Sequence, residues 1–359
     1  MLTSAHVIRS TAPHDGRRRR TGRGVPVHRV AHPARPADRL TGGPRPGREG
    51  RPRAELRGLA AGRQRLVTGK TGVVAALVPT LNSWFMGSAL SSLGPLLRAA
   101  GMELTVYVIS DMSERTAFFE HLPARRNADA LAVFGFDLTD EETVRLDDLG
   151  MPVIYVSQHA EGRPSVYVDD ADGACKATRH LLNLGHRRIA FAPTVGASGF
   201  CFSSRERLLG YRQALAEAGI PMDDDLVVTM SFEDRRDITE GVGRLLSLRE
   251  PPTAIFAEMD ELAIAIIHSL RKARIQVPER ISVIGFDDHQ VAEWTDLSTV
   301  AQSPSEMGRL AGELALQLIQ DSDAGHTRHI VLPTHLIPRG TTAPPPAPRS
   351  EGASEDRRA

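Results

Sequence analysis

The chain has 359 residues, which is long enough for two domains with sizeable cores or for three small ones. Its hydrophobic content of 41% and formal net charge of zero are ordinary for a soluble protein. The charge is unevenly placed, because residues 1–65 hold 16 Arg and four acidic residues, about +12, and leave about −12 for the rest. We find no apolar run of membrane-spanning length and no signal-peptide segment, which disfavours membrane and secreted proteins and favours a cytoplasmic one.

The first zone, residues 1–62, is rich in Arg, Pro and Gly, as in "DGRRRRTGRG". Pro and Gly interrupt every candidate helix or strand there, so we expect a disordered, basic, low-complexity arm. Such an arm on an acidic body indicates a polyanionic partner for the arm.

From residue 72 onwards short apolar runs alternate with amphipathic segments. This alternation predicts an α/β protein whose parallel strands are covered by helices on both faces, and about ten strands are too many for one small sheet. We therefore predict two similar lobes. Strands are predicted at 72–78, 103–110, 129–136, 152–157, 188–192, 226–229, 253–256 and 281–286, and helices at 84–101, 113–126, 171–184, 203–218, 235–247 and 260–273.

The motif "TGKT" at 68–71 looks like the end of a phosphate-binding loop. That loop requires Gly where Gln64 stands, and it lies between a strand and a helix, whereas a strand follows directly here. Cys175 and Cys201 lack metal-ligand spacing, and no serine stands in a nucleophile-elbow context. The sequence therefore predicts no nucleotide site, no metal, no cofactor and no enzyme.

Aromatic, acidic and small polar residues follow the predicted strands. Ligands of open parallel sheets bind beyond the carboxyl ends of the strands, so these residues are expected to converge there. Rings would stack on the apolar faces of a polyhydroxylated ligand while carboxylates accept from its hydroxyls. For each residue alone, a helix cap or a core aromatic is an equally good interpretation. The candidates are Asn82, Trp84, Phe85, Asp111, Phe136, Asp169, Met259, Asp260 and Asp287.

Longer stretches occur in a fixed order between Arg63 and Pro344, among them "RLVTGKTGVVAALVPTLNSWF", "DDADGACKATRHLLNLGHRRIAF", "SRERLLGYRQAL", "PTAIFAEMDELAIAII" and "ISVIGFDDHQVAEW". In order and spacing they resemble the lactose-repressor (LacI/GalR) family of bacterial transcription regulators. The resemblance implies a two-lobed core like a periplasmic binding protein, with an effector between the lobes. It also implies three crossover segments, near 164–168, 288–291 and 325–332, and a homodimer.

The resemblance also divides the chain into domains. It implies a hinge at 63–71 and a first lobe made of residues 72–165 and 290–324. The second lobe would comprise 166–289 and 325–340. We expect residues 341–359, which are rich in Pro and Ser, to form a disordered tail.

Individual family positions can be matched one at a time. Asn82, Trp84 and Phe85 match the first-lobe loop that lines the effector cleft. Arg207, in "RLLGY", matches an arginine that contacts the effector, and Asp287 matches an acidic residue that binds effector hydroxyls. The alternatives are an ordinary surface arginine and a helix-capping aspartate.

One position departs from the family pattern. Members commonly have Asn-Asp after the "AIFA" strand, whereas Met259 precedes Asp260 here. A thioether cannot replace the donors of an amide, so the effector is expected to be less hydroxylated at that point than a typical sugar.

The hinge resembles the family only in part, and the DNA-reading domain is not recognisable. The resemblance implies that Leu66 inserts into the minor groove, with Arg63 and Arg65 beside it on phosphates; the alternative is a linker leucine without such a role. Family members begin with a helix-turn-helix, and its Ala-Gly-Val-Ser turn is absent from residues 1–62. We interpret these residues as a frame-shifted or misassigned start; the alternative is a native basic arm that binds phosphates non-specifically.

The sequence therefore predicts a ligand-responsive transcription regulator that binds a sugar or similar small effector. Operator DNA would be a partner if a working N-terminal domain is present. The alternative is a stand-alone small-molecule sensor without specific DNA binding. An exported solute-binding protein fits less well, because a hinge sequence is retained and no signal peptide is found.

Overall fold

The computed structural model describes residues 70–195, 199, 201–231, 234–321 and 327–347, which form two α/β lobes, each built on a parallel sheet. The predicted fold class is therefore confirmed. No helix among the described residues is long and apolar enough to cross a membrane.

The first lobe contains a six-stranded, wholly parallel sheet with the strand order β10-β5-β4-β3-β1-β2. Its elements are β1 (Val73–Val78), α1 (Trp84–Ala99), β2 (Glu103–Val108), α2 (Met112–His121), β3 (Ala130–Phe134), α3 (Asp140–Asp147), β4 (Val153–Val156), β5 (Ser165–Val168), α9 (Pro304–Gln320) and β10 (His329–Leu332).

Helices cover both faces of this sheet, which explains the uninterrupted apolar runs of the inner strands β1 and β3. Successive strand residues point to opposite faces, so Val74 and Ala76 pack beneath α1 and α9 while Ala75 and Leu77 pack beneath α2 and α3. A strand buried on both sides must be apolar at every position.

The second lobe has a three-stranded parallel sheet with the strand order β6-β7-β8. Helices α4 and α5 lie on one face and α6 and α7 on the other. Its elements are α4 (Asp170–Asn183), β6 (Ile189–Ala192), α5 (Phe202–Glu217), α6 (Arg235–Leu246), β7 (Ala254–Ala257), α7 (Asp260–Lys272), β8 (Ser282–Ile284), α8 (Gln290–Trp294), β9 (Thr299–Ala301) and β11 (His335–Ile337).

Two of the predicted lobe boundaries differ from the observed ones. Residues 290–324 were predicted in the first lobe, yet β9 within this range pairs with β11 and bridges to Asp287 in the second lobe. Residues 325–340 were predicted in the second lobe, yet β10 within this range pairs with β5 in the first sheet. A strand of three or four residues has too little sequence periodicity to predict which sheet it joins. Only its hydrogen-bond pairing determines that.

The observed crossings between the lobes therefore differ in position from the predicted ones. The first follows β5, close to the predicted 164–168. The second lies between β9 and α9 at about 301–304, not at 288–291, because α9 packs on α1. The third lies between β10 and β11 at about 332–335, at the end of the predicted 325–332.

The predicted tail begins too early. Residues 341–347 are described and pack on the second lobe, where Thr341 is buried. The Thr341 hydroxyl donates to the carbonyl of Val283 at 2.7 Å, and Ala343 N donates to the Ser282 hydroxyl at 3.0 Å. These hydrogen bonds, which a composition-based prediction could not foresee, fix this segment.

The strand predicted at 226–229 is also wrong, because only an isolated bridge between Val227 and Phe191 forms there.

Candidate functional site

A cavity of about 410 Å³ lies between the two lobes. The ends of strands from both sheets supply its walls, as expected for parallel sheets. The first lobe contributes Pro79, Thr80, Asn82, Ser83, Phe85, Met86, Ser110, Gly135 and Ser157, and the second Thr194, Val195, Gly199, Cys201, Ser203, Ser204, Arg207, Ser231, Glu258, Met259 and Asp287, with Gln302 on a crossover.

The first-lobe wall is built on the start of α1. Ser83 caps this helix, and its hydroxyl accepts from Met86 N at 3.2 Å. The cap fixes the direction of the chain, so that Asn82 and Phe85 face the cavity. The structure thus brings two of the predicted first-lobe residues, Asn82 and Phe85, to the cavity, an amide beside an aromatic ring.

Arg207 is the buried cation of the second-lobe wall. Its Nε donates to Asp170 Oδ1 at 2.8 Å, and its Nη1 donates to the carbonyl oxygen of Glu258. The guanidinium also lies 3.7 Å from the ring centroid of Phe286, a cation–π contact. Both side chains of the ion pair are almost fully buried. Arg207 is therefore held rigidly, with its position fixed before any ligand enters.

Glu258 brings a second carboxyl group to the same wall. It follows β7 directly, is only 4% exposed, and has one oxygen, Oε2, without a hydrogen-bond partner in the described part of the chain. Burial raises the pKa of Glu258, while Arg207 and hydrogen bonds from Thr194 and Ser204 oppose that increase.

Asp287 completes the wall in an unusual backbone conformation. Its φ of 124° lies in the region that favours glycine, and its carboxylate accepts from Gln302 Nε2 at 2.6 Å. Residues held in such conformations cluster at ligand sites. Burial raises the pKa of Asp287 to about 7, and the Arg207 guanidinium partly offsets that effect.

Asp260 supports this loop from behind and does not line the cavity. Its Oδ2 accepts from His289 N at 2.8 Å and its Oδ1 from the Thr299 hydroxyl at 2.6 Å. Burial and the neighbouring Asp287 raise the pKa of Asp260 well above its usual value. We conclude that Asp260 positions the loop that carries Asp287.

Four other predicted residues also lie away from the cavity lining. Asp111 and Asp169 cap α2 and α4, which is the helix-cap alternative. Phe136 is buried beneath the Arg115 guanidinium, 5.6 Å from its ring centroid. Trp84 lies against His289 of the opposite lobe, with ring centroids 4.9 Å apart. Sequence alone could not separate a strand-end residue that faces a ligand from one that caps or packs.

Of the predicted residues, Asn82, Phe85, Arg207, Met259 and Asp287 line the cavity. Sequence reasoning missed Glu258 and Gln302. Glu258 immediately follows a strand that was predicted, so the strand-end rule could have found it. Gln302 follows β9, which was not predicted and left no signal. The predicted hinge residues Arg63, Arg65 and Leu66 lie outside the described residues.

Asp287→Asn is expected to increase the free energy of unfolding by about 1–3 kcal/mol at pH 8, and by less at pH 5. A carboxyl whose pKa is raised by folding costs stability once it ionises, so this cost grows as the pH rises from about 4 through about 7. Urea unfolding at both pH values measures the difference. A variant that is less stable than wild type at pH 8 would contradict this electrostatic explanation.

The chain is similar in sequence to known proteins. A family profile described as a periplasmic binding protein-like domain matches residues 178–342. The HTH-type transcriptional regulator DegA of Bacillus subtilis is 32% identical over 294 residues, which covers 77% of this chain and 83% of DegA.

Two solved structures share the fold. The transcriptional regulator CelR in complex with cellobiose has a TM-score of 0.66 and 27% identity, covering 78% of this chain and 89% of CelR. A LacI family transcriptional regulator from Enterococcus faecium with bound ribose has a TM-score of 0.65 and 26% identity, covering 76% and 99%. The motif order, the two-lobed fold and these relatives agree, and the chain belongs to the LacI/GalR family of ligand-responsive transcriptional regulators.

Proposed function

We propose that the chain binds a sugar or a similar hydroxylated effector in the cavity between its lobes, and that this binding controls its affinity for operator DNA. The proposal rests on one observation. Arg207, Asp287 and Phe85 line the same cavity, to which both lobes contribute residues. Charged and amide groups can exchange hydrogen bonds with hydroxyls, while the ring packs on the apolar face of a sugar.

The cavity couples ligand binding to lobe closure because its walls belong to different lobes. An effector that contacts Asn82 on one side and Arg207 on the other binds the closed arrangement better than an open one, and so shifts the equilibrium towards it. Trp84 already contacts the second lobe, where its backbone N–H donates to Glu261 Oε1 at 3.3 Å. We infer that this contact forms part of the closed state.

The proposal includes a cytoplasmic homodimer without catalytic activity. Burial raises the pKa of the Cys201 thiol, which lines the cavity, to about 12, so a nucleophilic thiolate is disfavoured there. Two relatives whose structures hold cellobiose and ribose support a carbohydrate effector. A stand-alone sensor that does not bind DNA is the remaining alternative.

Thermal shift followed by DNA binding tests the proposal. The purified chain is screened against neutral mono- and disaccharides, including ribose and cellobiose, and a ligand at 100 times its Kd adds about 2.7 kcal/mol of stability. Compounds that stabilise are then added to mobility-shift assays with intergenic DNA from the chain's own locus. We expect the same compound to raise the melting temperature of the protein and to change the amount of DNA that it shifts at high salt.

Asp287→Asn is the variant expected to bind the effector more weakly. It changes one cavity group and keeps the shape of the side chain. It should bind DNA as wild type does and respond less to the effector. Stabilisation by a sugar without any sequence-preferring DNA shift, in a chain whose N-terminal residues are intact, would support the stand-alone sensor.

A further inference from the structure

Two buried acceptor oxygens belong to side chains that line the cavity. Glu258 Oε2 and Gln302 Oε1 are buried and have no hydrogen-bond partner within the described residues, and both side chains line the cavity. The amide nitrogen of Gln302 already donates one hydrogen bond, from Nε2 to Asp287. Buried acceptors without partners cost free energy, so a ligand that supplies donors gains by satisfying them.

The charge on this wall is also uneven. Among the described residues that line the cavity, Arg207 is the cation, and its buried ion pair with Asp170 already compensates its charge. Glu258 and Asp287 are additional carboxyl groups on the same cavity. A ligand that carries a phosphate or carboxylate there would face carboxyl oxygens and could not donate to them.

We propose that Glu258 is a specificity-determining residue of this cavity, which accepts a hydrogen bond from an effector hydroxyl and discriminates against phosphorylated and acidic effectors. The inference rests on the proposed function and narrows it to a neutral carbohydrate. The hydroxyl donates to Oε2, while Thr194 and Ser204 hold the carboxyl group in place from the protein side.

Calorimetry with matched sugars tests the charge selectivity. Ribose is compared with ribose 5-phosphate, glucose with glucose 6-phosphate and glucuronate, and cellobiose with cellobiose 6′-phosphate. For the pair that contains the tightest-binding neutral sugar, we expect the anionic counterpart to bind about 10- to 100-fold more weakly, as expected when buried acceptors stay unsatisfied.

Glu258→Gln tests the residue. Loss of the carboxylate acceptor should weaken binding of the neutral sugar about 10- to 100-fold and reduce the preference over its anionic counterpart severalfold. Glu240→Gln removes the same charge from an exposed position on α6 and should leave both values unchanged. We expect Glu258→Gln to melt no lower than wild type, because the substitution removes a buried charge. A melting temperature at or above that of wild type would show that the variant is folded.

Three outcomes of these binding experiments would contradict the inference, and they differ in whether they also contradict the proposed function. An anionic sugar that binds wild type as tightly as its neutral counterpart overturns this inference and leaves the sensor function intact. Unchanged affinity and preference in Glu258→Gln overturns it as well. A panel in which no sugar binds contradicts the inference and the proposed carbohydrate effector together.

Discussion

Arg207→Ala should weaken effector binding about 10- to 100-fold and lower the free energy of unfolding by about 3–5 kcal/mol. The binding loss follows from the charge-assisted hydrogen bonds that a guanidinium makes with a ligand. The stability loss has a separate cause, because the variant leaves the buried Asp170 carboxylate without its cation. Calorimetry measures the first effect and urea unfolding the second.

A second substitution separates these two effects. Arg207→Met combined with Asp170→Leu removes both charges, so most of the stability should return while effector binding stays weak. Arg179→Ala is the surface control. Its ion pair with Glu217 is half exposed, and its loss should cost less than about 1 kcal/mol. If the double variant is no more stable than Arg207→Met alone, the unpaired carboxylate is not the cause.

The Arg207→Ala defect should also depend on pH. Burial already raises the pKa of Asp170, and Arg207 is the main opposing influence, so loss of the cation raises that pKa further. The folded variant then takes up a proton more readily than the unfolded chain. Its stability, relative to wild type, should improve as the pH falls from 8 to 5.

Gly210→Ala should lower the free energy of unfolding by about 2–3 kcal/mol, although alanine is the better helix former. Gly210 lies in α5 where this helix crosses α4, and an added Cβ would sit 2.0 Å from the carbonyl oxygen of Ala171. Backbone cannot move aside as a side-chain tip can, so the two helices must separate. Denaturant unfolding measures the cost.

This separation should reach the cavity as well. Gly210 lies one helical turn from Arg207, whose partner Asp170 begins α4. Moving the helices apart lengthens that ion pair, so effector affinity should fall together with stability. Gly243→Ala on α6 is the matched control, because its Cβ would meet nothing within 4 Å. It should stabilise the protein by about 0.5–1 kcal/mol; a loss in both variants would show that crowding is not the cause.

The site shows where sequence reasoning works and where it stops. The rule that ligands bind at strand ends, combined with the family motifs, found Asn82, Phe85, Arg207, Met259 and Asp287, all of which line the cavity. The same rule also selected Asp111 and Asp169, which cap helices. A carboxylate after a strand has the same local sequence signal in both roles, because a helix often begins there.

The sequence by itself determined the alternation of strands and helices, the two lobes and the family, because these depend on local periodicity and on the order of motifs. Tertiary structure decided which lobe receives β9 and β10, where the chain crosses, and that residues 341–347 pack on the second lobe. Short strands acquire their sheet only through non-local hydrogen bonds. Tertiary structure likewise decided that one oxygen each of Glu258 and Gln302 has no partner among the described residues, since residues distant in the chain decide whether a buried acceptor finds a donor.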